Sequence, residues 1–541
     1  MKKKKVLIIA MISVLLILSI VGISYALWTL NLTQTGENDI ASTCFNISFT
    51  EKDNISLQKS YPLYDADGKK LTPYEFTITN NCDSYASYAV NLEVLNTTTL
   101  TNNEAIKVMF SKKEDNVESK LKLDLLSNYE TVTKTLNNAT SAFKLVTEYL
   151  GPNKSKTYDL RLWLDENVTT ETVNIQNTTF NSKVVVTANY VNMGEIPFAT
   201  KVIANLAKDA DSSSTDVYTV PDKTSDTCTY TLAYDGTSDN NLRYVGANPC
   251  NYVKVDDEYW RIIGVMNNID DGTGKKESRL KLIRDESIGE YSWDTSDSSV
   301  NNGKGINEWS QADLMKLLNP GYENEIIGGS LYYNAESGTC FYGTRDSKVS
   351  CDFTSTGLKN NLKNLIGNTL WNIGTNGKND YTTATANQFY SFERSNNTGD
   401  MCSYGKYCND SLKRTTTWQG KIGLIYPSDY GFATSGGSTS NRTSCINEEL
   451  YEWRNTTGSY KDCVNNDWIY LRGSQWTLTP RANSSNATYI FNIDGQGAIQ
   501  SMGWYTETSS FDDVRPSVYI LSEVMILIGE GTKENPYELS L

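Results

Sequence analysis

All ten cysteines of this chain lie behind an apolar run, residues 6–27, that is itself led by four lysines, Lys2 to Lys5. Basic flanks stay on the cytoplasmic side of a membrane, so everything after the run is expected outside the cell. An even cysteine set in that compartment is expected as disulfides rather than as catalytic thiols or metal ligands. Ser24 and Ala26 form the small-x-small pair that a signal peptidase requires. The run is nevertheless longer than the ~7–15 residues of an ordinary signal core and close to the ~20 that span a bilayer. Residues 1–27 are therefore a signal peptide cut after Ala26, or an uncleaved single-pass anchor with its amino terminus inside. Only in the second case is the membrane a partner. No second apolar run of that length follows, and the tail after Pro536 carries no anchor or sorting signal that we recognise.

Histidine is absent from all 541 residues. That removes Ser-His-Asp and Cys-His nucleophiles, the His-Glu-x-x-His zinc site and histidine-based zinc sites generally. Carboxylates, Lys and Tyr remain as acids and bases. Asp and Glu (64) outnumber Lys and Arg (49), so nucleic acid is not an expected partner, because affinity for phosphate comes mainly from basic side chains. The length suggests about two to four domains. The 34 tyrosines and the abundance of Asn, Ser and Thr suit β architectures with polar outer faces.

Residues 28–195 alternate like half-buried strands. Tyr158, Leu160, Leu162 and Leu164 fall on one face, as do Val184, Val186, Ala188 and Tyr190, and Tyr88, Val90, Leu92 and Val94. With Asp67-Gly68 and Gly151-Pro152 as turn signals, this predicts an antiparallel β-sandwich. Cys44 and Cys82 must pair with each other if this domain folds alone, tying an early strand to 76–79.

The lysine-led leader, the strand soon after it and the run from Tyr64-Asp65-Ala66-Asp67-Gly68 to Tyr74-Glu75-Phe76-Thr77-Ile78-Thr79-Asn80 resemble the TasA/camelysin group of bacterial surface and biofilm-matrix proteins. The resemblance covers roughly residues 1–193 and implies a jelly-roll-like sandwich exported by a Gram-positive type of cell. Camelysins carry a metallopeptidase label, but no histidine-bearing motif here receives that activity. The purified chain is expected to bind no stoichiometric zinc and to leave casein intact at neutral pH.

Residues 196–226 read as a short helix (Val202, Ile203 and Leu206 at helical spacing) followed by a Ser/Thr/Asp linker, with the next domain beginning near Thr227. Residues 227–541 have an α+β grammar. Strands are expected at 252–265, 280–284, 422–426, 489–493 and 514–521. Helices are expected after Ser310, with Asp313 at the capping-box third position and Pro320 as the stop, around Leu358 to Ile366, and at 448–453. The eight cysteines fall in close pairs, Cys228 with Cys250, Cys340 with Cys351, Cys402 with Cys408, and Cys445 with Cys463. Short loops close at least entropic cost, so nearest-neighbour pairing is expected.

Four segments stand out in this half: Tyr259-Trp260-Arg261-Ile262-Ile263-Gly264, Asn307-Glu308-Trp309-Ser310, the run from Trp468 to Trp476, and Val514-Arg515-Pro516-Ser517-Val518-Tyr519. Together they resemble a bacterial extracellular module of unknown function with a Trp-Arg strand and a terminal Val-Arg-Pro strand. More distantly they resemble the C-type-lectin-like and formylglycine-generating-enzyme folds. The fold class expected overall is mainly β, an antiparallel sandwich followed by a disulfide-stapled, C-type-lectin-like α+β domain.

The residues Trp260, Arg261, Trp468, Arg472, Trp476, Trp504 and Arg515 are the candidate binding set. The plainer expectation for them is packing for the aromatics and carbonyl or carboxylate partners for the arginines. No cofactor is expected. Asp270-Asp271-Gly272 and Asp294-Thr295-Ser296-Asp297 read first as turns, with calcium as the alternative, since neither has EF-hand spacing. The Asn-x-Ser/Thr sequons, such as Asn31, Asn46, Asn96, Asn138 and Asn167, arise readily in so Asn- and Thr-rich a chain and are given no functional weight. The sequence thus favours a non-enzymatic surface protein binding a glycan or a cell-surface protein. The alternative is a surface-polymer hydrolase using carboxylates such as Glu286, Glu290 or Asp294.

Overall fold

The computed structural model describes residues 29–33, 44–49, 55–57, 61–114, 117–168, 178–299, 301–375, 381–396, 414–454, 460–482, 487–501 and 507–541. The leader, Cys402, Cys408 and Trp504 lie outside the described residues. Among the described residues no helix is long and apolar enough to cross a membrane. The chain is mainly β and divides into two compact units, Met1–Ile196 and Pro197–Leu541.

The first unit holds two antiparallel sheets. One runs in the order Thr29–Thr33, Asn181–Tyr190, Ala86–Leu95, Ala139–Leu150, Thr131–Val132, and the other in the order Phe45–Phe49, Tyr74–Asn80, Lys154–Leu164, Ile106–Glu114, Val117–Leu125. The period-two faces read from sequence supply one shared core, Tyr88, Val90, Leu92, Val184 and Val186 from the first sheet and Tyr158, Leu160 and Leu162 from the second, which Phe76 and Phe110 join. The opposite face of Lys154–Leu164 is covered as well, because Trp163 is fully buried. Residues Asp65–Gly68 form a single helical turn rather than a plain reverse turn. A Cβ on Gly68 would lie 2.3 Å from Trp163 Cε2, so only glycine lets the backbone come this close to the indole. The disulfide Cys44–Cys82 joins the strand Phe45–Phe49 to the end of Tyr74–Asn80.

Residues 197–226 belong to the second unit. The expected short helix forms as Ala199–Leu206, and its Ala199 and Ile203, with Ala207 and Val220 of the stretch that follows it, enter the second core, so the compact unit begins at Pro197 rather than near Thr227. The main sheet of this unit has eight strands, ordered Tyr218–Thr219, Thr231–Tyr234, Leu242–Tyr244, Glu258–Asp270, Lys276–Arg284, Ser517–Tyr519, Ile422–Gly423, with Tyr252–Val255 also on Glu258–Asp270. A five-stranded sheet runs Glu290–Ser292, Phe511–Asp513, Gln475–Pro480, Ile490–Ile493, Ile499–Gln500, with one parallel contact between Gln475 and Asp513.

The single strand expected at 252–265 is a hairpin, Tyr252–Val255 with Glu258–Asp270, because Asp256 takes a left-handed φ of 55° and reverses the chain. Gly264 sits where its strand meets Leu242–Tyr244, and a Cβ there would lie 2.2 Å from the Leu242 carbonyl oxygen. The helices around Leu314 and Leu362 form, as Asp313–Leu318 and Asn360–Leu365. The expected helix at 448–453 is only the 3₁₀ turn Leu450–Glu452. Pro427 stands at the first position of another helix, Pro427–Phe432, which cuts the expected strand 422–426 to Ile422–Gly423. Disulfides join Cys228–Cys250, Cys340–Cys351 and Cys445–Cys463, the nearest-neighbour pairs.

Candidate functional site

The strand Glu258–Asp270 carries the Trp-Arg motif into the interior. Trp260 is fully buried, and its indole N–H donates to Glu258 Oε2 at 2.9 Å. Arg261 lies between the rings of Tyr252 and Trp468, 4.1 and 4.7 Å from their centroids, and donates to Asn251 Oδ1, Asn248 Oδ1 and the Pro249 carbonyl. Trp468 donates to the Tyr244 carbonyl, and Arg515 to the carbonyls of Arg284 and Ile469. Trp476 is buried apart from these, bonded to the Tyr291 carbonyl.

These contacts correct the candidate binding set. Trp260, Arg261, Trp468, Trp476 and Arg515 are buried and already bonded, so they join strands to loops instead of presenting a surface. Arg472 alone of the described members is exposed, at a left-handed φ of 62°.

Beside these anchors, at the edge of the same hairpin, lies a recess of about 160 Å³ lined by Asp257, Glu258, Tyr259, Arg284, Asp285, Glu286, Ser355 and Lys359. Glu258 is committed: Arg284 Nε donates to one carboxylate oxygen and Trp260 to the other. Arg284 also holds the carbonyls of Glu286 and Ser287, at 2.8 and 3.0 Å, which sets the loop that carries the acids. Lys359 is turned to Asp257 at 3.1 Å. The nearest ion-pair partners of Asp285 among the described residues are Lys533 at 3.7 Å and Arg261 at 4.0 Å, the buried Arg515 also acts on it electrostatically, and Glu286 is exposed. The opening therefore presents carboxylate oxygens with spare hydrogen-bonding capacity, a setting for a cationic or polyhydroxylated group. Glu286 was legible in the sequence only as a carboxylate; Arg284 and Glu258, which position it, were not singled out.

The three proposed catalytic carboxylates sit in three environments. Glu286 lines the recess, Glu290 is exposed on the strand Glu290–Ser292, and Asp294 is buried. Asp294 is a helix cap. Its oxygens accept from the backbone N–H groups of Asp313 (3.1 Å) and Ile306 (2.7 Å), replacing the cap expected from Ser310, whose own N–H and hydroxyl go to Glu308. Burial, then the neighbouring Asp313, push the Asp294 acid well above the usual carboxylate range, and burial raises Asp313 to about 6. The Asp270 and Asp271 carboxylates accept from the N–H groups of Gly272 and Thr273, and Asp297 from Ser299, as turn residues do. Among the described residues no three Asp, Glu, Cys or His side chains are grouped to hold a metal ion.

No family model matches the chain, and no curated protein does. Solved structures that align with part of it include the VP2 subviral particle of infectious bursal disease virus (TM-score 0.15, 7% identity, 32% of this chain and 34% of that one) and the Gx strain of the same virus (TM-score 0.15, 8% identity, 32% and 33%). The chain spans about a third of the length of these capsid chains, and a likeness of this size assigns neither fold nor function.

Proposed function

We propose that the chain is an exported bacterial surface or matrix protein. In this reading its first unit is a TasA/camelysin-like sandwich serving anchorage or assembly, and its second unit is a lectin-like binding module. Export is supported by the lysine-led apolar run together with four disulfides, none of which a reducing cytosol would sustain.

The observation that carries the binding role is the recess beside Arg284. Its aromatic and guanidinium supports are locked in the core, while Asp285 and Glu286 keep acceptor capacity at the opening. Polar groups held at fixed positions are what orient a ligand in a site, and two carboxylates suit an amino sugar or a basic peptide segment. The hydrolase reading has weaker support, because Glu286, Glu290 and Asp294 do not face one cleft as a glycosidase pair would.

The test is an array of amine-bearing and neutral glycans and basic peptides probed with the purified chain and with an Asp285→Asn/Glu286→Gln variant. Retention of amine-bearing ligands by the parent chain and its loss in the variant is expected. Equal retention by both would overturn the assignment of this recess, and release of sugar from the array would revive the hydrolase.

A further inference from the structure

Lys281 occupies the centre of the eight-stranded sheet, in Lys276–Arg284 between Leu280 and Leu282, and is fully buried. Its ammonium is walled by three rings, with the centroids of Tyr426, Tyr519 and Trp371 at 4.0, 5.2 and 5.3 Å. Asp429, in the first turn of Pro427–Phe432, places Oδ2 2.5 Å from Lys281 Nζ. That carboxylate cannot swing away. The Tyr426 N–H donates to Oδ2 at 3.0 Å, and Arg243 Nη1 donates to Oδ1 at 2.7 Å, with Arg243 itself fixed by Asp235 at 2.9 Å. The buried carboxyl of Glu393 packs alongside, accepting from the N–H and hydroxyl of Ser428, the residue before Asp429.

We propose that Lys281 and Asp429 condense into an intramolecular amide, cross-linking the central strand of the second unit to the helix Pro427–Phe432. The pair rests as ammonium and carboxylate, because Lys281 and Arg243 outweigh the burial that would raise the Asp429 acid, and hold it at about 2. Moving one proton across the 2.5 Å contact gives a neutral amine beside a neutral acid. Burial favours that form of the lysine and lowers its pKa to about 8.

The amine lone pair then attacks Cγ of Asp429, forming the N–C bond. Negative charge developing on Oδ1 faces the Arg243 guanidinium, as preorganised donors do in acyl transfer. A second proton passes from the nitrogen to Oδ2, and Glu393, whose charge acts on Lys281 and whose acid burial raises to about 7, is the group assigned to relay it. Oδ2 departs with both protons as water. The ammonium's three hydrogens end as one amide N–H and two on water, and no oxidant or co-reactant enters.

Two conditions favour the product. The reacting groups are held in contact within the fold, where effective molarities reach ~10⁵ M or more. Condensation also removes two buried charges whose desolvation an ion pair offsets only in part. The linked residues are 148 apart in sequence, so the bond closes a far longer loop than any of the four disulfides and, unlike them, resists reduction.

Intact mass of the reduced, denatured full chain and its tryptic map test this. The expected results are a mass lower than that of the linear chain by one water, no cleavage after Lys281, and a branched peptide containing Lys281 and Asp429. In Asp429→Ala the deficit should vanish and a linear peptide ending at Lys281 should appear. Recovery of both residues in linear peptides from the parent chain overturns the cross-link, whether or not the variant folds, as does a deficit that persists in Asp429→Ala. Glu393→Gln should raise the linear fraction, and an unchanged fraction removes Glu393 from the step.

Discussion

At the scale of single residues, the acid pair Asp294 and Asp313 has the clearest signature. Asp313 accepts from the Thr295 N–H while Asp294 caps the helix that Asp313 begins, so the two carboxyls share one buried corner. The Asp313 acid, raised by burial from 3.8 to about 6, holds its proton in the folded chain after the unfolded chain has lost it. Stability from this group is therefore fully present below about pH 4 and lost as pH rises through about 6. Asp313→Asn keeps the acceptor for Thr295 without the charge. Its melting temperature relative to the parent chain should climb between pH 4 and pH 7, by an amount equivalent to on the order of 2 kcal/mol, and a flat difference in scanning fluorimetry would contradict the assignment. Gly68→Ala probes packing: with Trp163 Cε2 2.3 Å from the new Cβ, the turn or the indole must move. A loss of about 1–3 kcal/mol is expected in urea unfolding of the first unit.

At the scale of elements, the first unit contains one polar tie that the sequence concealed. Lys156 on Lys154–Leu164 reaches Glu148 on Ala139–Leu150 at 2.5 Å, and the hydroxyls of Tyr158 and Tyr88 complete the shell at 3.0 and 3.3 Å, all inside the core between the two sheets. Lys156→Met strands a buried carboxylate and should cost about 3–5 kcal/mol, whereas Lys156→Met/Glu148→Gln should recover part of it, because removing both charges is milder than removing one. Denaturant midpoints of the two variants decide it, and a double variant no better than the single would mean that the pair is not coupled. The strands here were legible because apolar residues facing the shared core alternate with mostly polar or small ones, Ala89, Asn91 and Glu93 in the first strand and Val185 and Thr187 in the second, and this leaves a period of two in Tyr88 to Val94 and in Val184 to Ala188 even though Asn91, Glu93 and Val185 are buried as well. In the second unit that signal fails. Leu280, Lys281, Leu282 and Ile283 are all buried, so the strand shows no alternation and its lysine gave no hint of its place. The short helices Arg442–Ile446 and Lys461–Asn465 span too few residues to show a period of 3.6. Trp260, Arg261 and Arg515 were legible as motifs but not their surroundings: Trp260 bonds the Glu258 carboxylate on its own strand, Arg261 bonds Asn248, Pro249 and Asn251 on the chain before its hairpin, and Arg515 bonds carbonyls from segments distant in sequence.

At the scale of the whole molecule, the covalent ties and the leader make one argument about compartment. Among the described residues the ties are local, with sequence separations from 11 to 38, and none of these four crosses between the two units. Each unit should therefore lose stability separately on reduction. The chain-entropy account gives the Cys44–Cys82 loop of 38 about 4 kcal/mol and the Cys340–Cys351 loop of 11 about 3 kcal/mol. Dependence on this scale is consistent with an oxidising space for both units, and in the proposed reading the four lysines before the apolar run set the direction in which the chain enters it. Protease added to intact producing cells should accordingly degrade both units, whether the leader has been cut or not. Alkaline carbonate extraction separates those two cases, since a chain cut after Ala26 is released and an anchored one stays with the membrane. Survival of the second unit in intact cells, with digestion only after lysis, would place it in the cytoplasm, where neither the disulfides nor a surface role could stand.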